Sequence, residues 1–164
     1  MKRLFIVRHA KAERAEPGGE DFDRPLAPRG EHDAVAVGRR LAGGGIHPGA
    51  IVASPAQRTL ATAKLIAREL DFPWKEIRTA KSAYLASGDA LLNLVHRLDE
   101  GAESALLVGH NPGVSELAQS LVRDFEQDLT TAAVVAVDLP ADTWAGVRRG
   151  TGSLRFYDSP KKRE

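Results

Sequence analysis

Arg8 and His9 follow directly on the apolar run Leu4-Phe5-Ile6-Val7. A short aliphatic and aromatic run of this kind reads as a strand buried on both faces. Its polar end places a permanent cation beside a titratable ring. A neutral imidazole can attack phosphorus through one nitrogen while the other holds a hydrogen bond. A guanidinium beside it can fork onto two phosphoryl oxygens. Two further positions carry the same chemistry: Arg58, just beyond the run Ala50-Ile51-Val52-Ala53, and His110, just beyond Ser104 to Val108. In a parallel sheet the carboxyl ends of the strands share one edge, where such sheets bind ligands. The four side chains can therefore converge, and two guanidiniums with two imidazoles suit a doubly charged phosphoryl group.

The elements that must hold these residues alternate between strand and helix. Pro28 to Ala42 has Ala34, Val37, Gly38 and Leu41 at helical spacing, with Pro28 suited to the first turn and Gly43-Gly44-Gly45 ending it. Ser54 is the expected cap, and Pro55 the first residue, of a helix running to about Leu70. Arg58 then lies in its first turn, where a cation opposes the helix dipole unless an anion requires it. Ser87-Gly88-Asp89 opens a helix with Leu91, Leu94, Val95 and Leu98 on one face. Asn111 is a candidate cap before Pro112 for a helix with Val114, Leu117, Ala118, Leu121, Val122 and Phe125 inward. Both expected helix starts would add backbone N–H donors for an anion. Ile77 to Thr79 is a weak edge strand, Ala132 to Leu139 a further apolar strand and Ser153 to Tyr157 a last edge strand. Asp142 is expected to cap a short helix through Trp144 and Val147, and Lys161 to Glu164 a frayed tail. Lys11 to Pro28 is a long polar segment read as a flap over the end of the first strand. The alternation predicts a three-layer α/β/α sandwich with a mostly parallel central sheet, in one domain over residues 1–164.

Composition narrows the function. The chain has 164 residues, enough for a substantial core. Its 23 Lys and Arg against 22 Asp and Glu give a net charge of +1, which predicts neither a nucleic-acid binder nor a membrane-surface protein. With no cysteine, disulfides, thiolate metal sites and a cysteine nucleophile are excluded. No signal-peptide core or membrane span is visible, so a cytoplasmic enzyme is the default. No Asp-rich metal motif is seen, and no metal or cofactor is expected.

Arg8-His9-Ala10, Ser54-Pro55-Ala56-Gln57-Arg58-Thr59 and Gly109-His110-Asn111-Pro112, in that order, resemble the histidine phosphatase superfamily with its phosphoglycerate-mutase-like fold. The short length and the run Asp23-Arg24-Pro25-Leu26-Ala27-Pro28-Arg29-Gly30 are similar to the SixA-type phosphohistidine phosphatases. The resemblance implies that His9 is the nucleophile that becomes phosphorylated. It implies that Arg8 and Arg58 clamp the phosphoryl oxygens, and that His110, as a protonated ring, donates to the group. Asn111 is a further candidate substrate ligand.

One part of the family pattern is missing. Many members carry a Glu or Asp that protonates the leaving oxygen after the second arginine. Here that region reads Lys81-Ser82-Ala83-Tyr84-Leu85-Ala86, with no carboxylate before Asp89. The flap residues Glu20, Asp21 and Asp23 are the candidate acids. An alkyl phosphate needs such an acid, whereas phosphohistidine departs as a neutral imidazole with little help. The expected partner is thus a phosphohistidine-bearing protein. The alternatives are a small phosphorylated metabolite, for a phosphomonoesterase of the same superfamily, and a non-catalytic phosphate-binding module.

Overall fold

The computed structural model describes residues 1–161. The expectation for the tail thus falls, beyond Lys161, outside the described residues. The described chain contains six strands, β1 (Lys2–Arg8), β2 (Ala50–Ala53), β3 (Arg78–Thr79), β4 (Ser104–Gly109), β5 (Val134–Leu139) and β6 (Ser153–Asp158). Its α-helices are α1 (Pro28–Gly43), α2 (Gln57–Glu69), α3 (Gly88–His96) and α4 (Gly113–Leu121). The strands form one sheet in the order β3-β2-β4-β1-β5-β6. Neighbours from β3 to β1 are parallel, and β5 runs antiparallel to both β1 and β6. The mostly parallel α/β/α sandwich is therefore present.

Sequence periodicity explains the layering. Leu4 and Ile6 of β1 face a core shared with Leu91, Val95, Leu117 and Leu121 of α3 and α4. Phe5 and Val7 face the opposite core, with Val37, Leu41, Ala63 and Ile66 of α1 and α2. All four β1 residues are at most 1% exposed. Burying each such side chain contributes roughly 1.5–3 kcal/mol, which fixes β1 at the centre and with it the position of the residues that follow. Lys2 begins the strand buried, its ammonium donating to the carbonyls of Glu100 and Ala102 at 3.2 and 3.0 Å.

Register sets the working edge. Arg8 pairs with Gly109 and Ala53 with Val108. The residues after these strand ends, His9, Ser54 and His110, therefore emerge side by side. The flap is closed at its base: Ala12 bridges Leu26, and Ala27 N–H donates to Lys11 O at 2.9 Å. Gly30 in α1 allows this, because a Cβ there would lie 2.0 Å from Lys11 O.

Four local expectations are corrected. Helix α2 starts at Gln57, and its boundary residue Ala56 offers no side-chain cap, so Ser54 is not the cap. Helix α4 starts at Gly113, with no side-chain cap from Pro112. It ends at Leu121 because Val122 is extended, although Val122 and Phe125 remain in the core. The segment around Trp144 is turns, not a helix: the Glu100 carboxylate accepts from the N–H groups of Trp144 and Ala145, and the buried indole donates to Ala102 O. Among the described residues no helix is long and apolar enough to cross a membrane.

Candidate active site

His9 leaves β1 at the centre of the sheet edge and is 9% exposed. Its Nδ1 lies 2.7 Å from Ala10 O. A carbonyl only accepts, so Nδ1 carries the proton and Nε2 keeps its lone pair. Burial, followed by the charges of Arg58, Arg8 and Arg24, lowers the ring to about 4. The bond to Ala10 opposes this without reversing it. At neutral pH His9 is an oriented, uncharged imidazole.

His110 follows β4 and packs edge-on to His9, with ring centroids 5.5 Å apart. It is almost fully buried, which lowers it to about 3, helped by Arg58 and by coupling to His9. In the free protein the ring is neutral, because burial beside cations disfavours a further positive charge. Its Nε2 lies 2.8 Å from Ser54 Oγ, and its buried Nδ1 has no partner.

Arg58, in the first turn of α2, is buried and reaches the flap. One terminal nitrogen donates to Asp21 O at 2.8 Å and the other to Asp21 Oδ2 at 3.0 Å. Asp21 lies in a 3-10 turn, Asp21–Asp23. It also accepts from the Tyr84 hydroxyl at 2.6 Å and from Arg24 at 3.1 Å. Tyr84 in turn stands edge-on to His110, at 5.4 Å, and to Phe22, at 5.2 Å. Arg8 is anchored by a bond to Leu129 O at 2.9 Å. Arg8 Nε, Arg58 Nε and His110 Nδ1 are buried without partners among the described residues. Buried N–H donors are rarely left unpaired. Two such guanidinium N–H groups and one unpartnered ring nitrogen beside a neutral imidazole suit a tetrahedral oxyanion.

The structure thus brings Arg8, His9, Arg58 and His110 to one place, as their strand ends require. Asn111 is elsewhere engaged: its Nδ2 donates to Leu129 O and its Oδ1 accepts from Ser115 Oγ. It braces the chain after α4 rather than facing a ligand. Asp21 is at the site but does not suit the role of acid. The Tyr84 hydroxyl, then Arg24 and Arg58, hold its carboxyl well below the usual carboxylate range, so it keeps its charge and has no proton to give. Asp23 is exposed and lines a separate cleft of about 270 Å³ with Arg14, Glu20 and Arg24. Asp89 pairs with Arg149. Among the described residues no group of three or more His, Asp or Glu side chains is arranged to hold a metal ion. Sequence reasoning missed Tyr84 and assigned Ser54 a cap. A tyrosine standing where an acid was sought was the one signal for the former.

Sequence and fold are shared with known proteins. The sequence model of the histidine phosphatase superfamily (branch 1) matches residues 4–81. Uncharacterized protein Rv1276c of Mycobacterium tuberculosis is 31% identical over 94% of this chain and 100% of its own length. Uncharacterized protein At3g52155, chloroplastic, of Arabidopsis thaliana is 32% identical over 73% of this chain and 59% of its own. Among solved structures, one from Nakamurella multipartitia, named as a putative phosphohistidine phosphatase SixA, superposes with a TM-score of 0.84 at 25% identity, covering 97% of this chain and 96% of that one. The protein histidine phosphatase SixA complexed with tungstate gives 0.82 at 23% identity, covering 99% of both chains. With its paired arginines and histidines on that fold, this chain belongs to the histidine phosphatase superfamily.

Proposed function

We propose that this protein hydrolyses phosphohistidine on a partner protein through a phosphorylated His9. The observation that carries the proposal is the set of three buried nitrogens without protein partners among the described residues, Arg8 Nε, Arg58 Nε and His110 Nδ1, beside an imidazole kept neutral. Phosphoryl transfer depends on in-line positioning and on neutralising the equatorial oxygens. Arg8 and Arg58 supply the charge, and His110 adds a donor. His9 Nε2 attacks phosphorus as the bond to the leaving atom breaks, and water then attacks phosphorus to release phosphate and restore the ring.

The choice of phosphohistidine rests on the leaving group. The carboxylate in contact with the site, Asp21, is held ionised. An alkoxide leaves poorly without a positioned acid. A phosphorylated imidazole, protonated on its distant nitrogen, gives up its N–P electrons and departs as neutral imidazole. The likeness to structures named phosphohistidine phosphatase, and to one holding tungstate, supports the same reading.

The test is parallel turnover of a phosphohistidine protein, a phosphoserine peptide and a panel of phosphorylated metabolites. The phosphohistidine protein is expected to turn over fastest, with phosphate release lost in His9→Ala and an acid-labile phosphoryl group trapped on the wild-type chain. Faster turnover of a metabolite would replace this reading with a small-molecule phosphomonoesterase. Phosphate binding with no turnover of any of them would make the protein a binding module.

A further inference from the structure

We infer that Ser54 is a positioning residue that selects the tautomer of His110, so that the ring presents an N–H, not a lone pair, to the bound oxyanion. The inference rests on the phosphoryl site proposed above, but its physical basis can be measured without any substrate. Ser54 follows β2 and His110 follows β4, and Ser54 N–H donates to Val108 O at 3.1 Å across the two strands. This pairing places Ser54 Oγ 2.8 Å from His110 Nε2, with Ser54 fully buried and His110 2% exposed.

A neutral imidazole has one donor nitrogen and one acceptor nitrogen. Two arrangements are possible. If Nε2–H donates to Ser54 Oγ, then Nδ1 turns a lone pair toward the site, and the serine proton has no acceptor among the described contacts. If the serine hydroxyl donates to Nε2, its lone pair still accepts from Ala56 N–H at 3.4 Å, and Nδ1 carries the proton. The second arrangement spends every polar hydrogen of the buried pair except Nδ1–H, which is the buried atom without a protein partner. The groups facing the ring are His9, Arg58, Asp21 and Tyr84. No hydrogen bond joins any of these to His110 Nδ1, so none of them fixes the tautomer by that route. The small hydroxyl after β2 is therefore better explained by His110 than by capping α2, which begins three residues later.

The experiment is a long-range proton–nitrogen correlation of the imidazoles in uniformly labelled full-length protein, in phosphate-free buffer near neutral pH. The His110 signals are assigned by their loss in His110→Gln. The wild type is expected to show His110 as the Nδ1–H tautomer. Ser54→Ala is expected to shift it toward Nε2–H, and Ser54→Thr to restore it. Turnover of the phosphohistidine protein should fall roughly tenfold or more in Ser54→Ala, below the hundred- to thousandfold typical of deleting an oxyanion donor outright, and recover in Ser54→Thr. An Nε2–H tautomer in the wild type, or an unchanged Nδ1–H tautomer in Ser54→Ala, overturns the inference. If Ser54→Ala does not fold, Ser54→Gly, which also lacks the hydroxyl, takes its place with the same expected shift. A correct tautomer in a protein inactive on every phosphorylated substrate would refute the proposed activity and leave the Ser54 assignment standing.

Discussion

Lowering the pH should destabilise this protein through the two site imidazoles, before most carboxylates titrate. His9 is lowered to about 4 and His110 to about 3, against an ordinary value near 6.5. Each group therefore binds a proton more readily in the unfolded chain. Where the unfolded state holds more protons, stability rises with pH. The contribution is thus complete above about pH 6.5 and is lost as pH falls toward 4. Each group costs about 1.36 kcal/mol per pH unit in that window. At pH 5 each ring has cost about 2 kcal/mol relative to pH 8, so the pair costs about 4 kcal/mol. This is a large share of the 5–15 kcal/mol typical of a folded domain. The assay is urea unfolding at pH 8 and pH 5 for the wild type and for His9→Gln/His110→Gln, in phosphate-free buffer. The double variant is the proper control, because each ring lowers the other's affinity for a proton. It should lose about 4 kcal/mol less than the wild type over this range. Equal losses in the two proteins would mean that the rings are not held neutral by burial, and the proposal that His9 attacks as a neutral ring would fall with them.

Three further outcomes follow from the flap and its contacts. Asp21→Asn should cost about 1–2 kcal/mol at neutral pH, since the half-exposed carboxylate is screened while its partner Arg58 is buried. The Asp21 pKa is depressed by folding, so its contribution is present above the unfolded carboxylate range. The wild-type and variant stabilities should therefore begin to converge as pH falls into that range and meet only below it, at the depressed folded value. Tyr84→Phe keeps the ring against His110 and removes the 2.6 Å bond to Asp21, which should cost about 1 kcal/mol in a urea titration. Gly30→Ala would stabilise an exposed helix by up to about 1 kcal/mol. Here the methyl would meet Lys11 O at 2.0 Å, so the variant should instead lose about 1–3 kcal/mol.

By itself the sequence determined the sheet and the four residues at its edge. Continuous apolar runs such as Leu4 to Val7 can be satisfied only by burial on both faces, and parallel strands share their carboxyl ends. That is why Arg8, His9, Arg58 and His110 could be brought together on paper. Helix starts were less legible, because Ser54 and Asn111 have cap chemistry that tertiary partners overrode. The serine hydroxyl goes to His110, and the Asn111 amide goes to Leu129 and Ser115. Only the tertiary structure decided the protonation state of the site and the fate of Asp21. Both depend on distances between side chains far apart in the chain. Burial, helped by arginine charge, strips the proton from the imidazoles, and the convergence of Tyr84, Arg24 and Arg58 on one flap carboxylate keeps it charged. No local pattern encodes such a field, because it is the sum of contributions that meet only after the strands have paired.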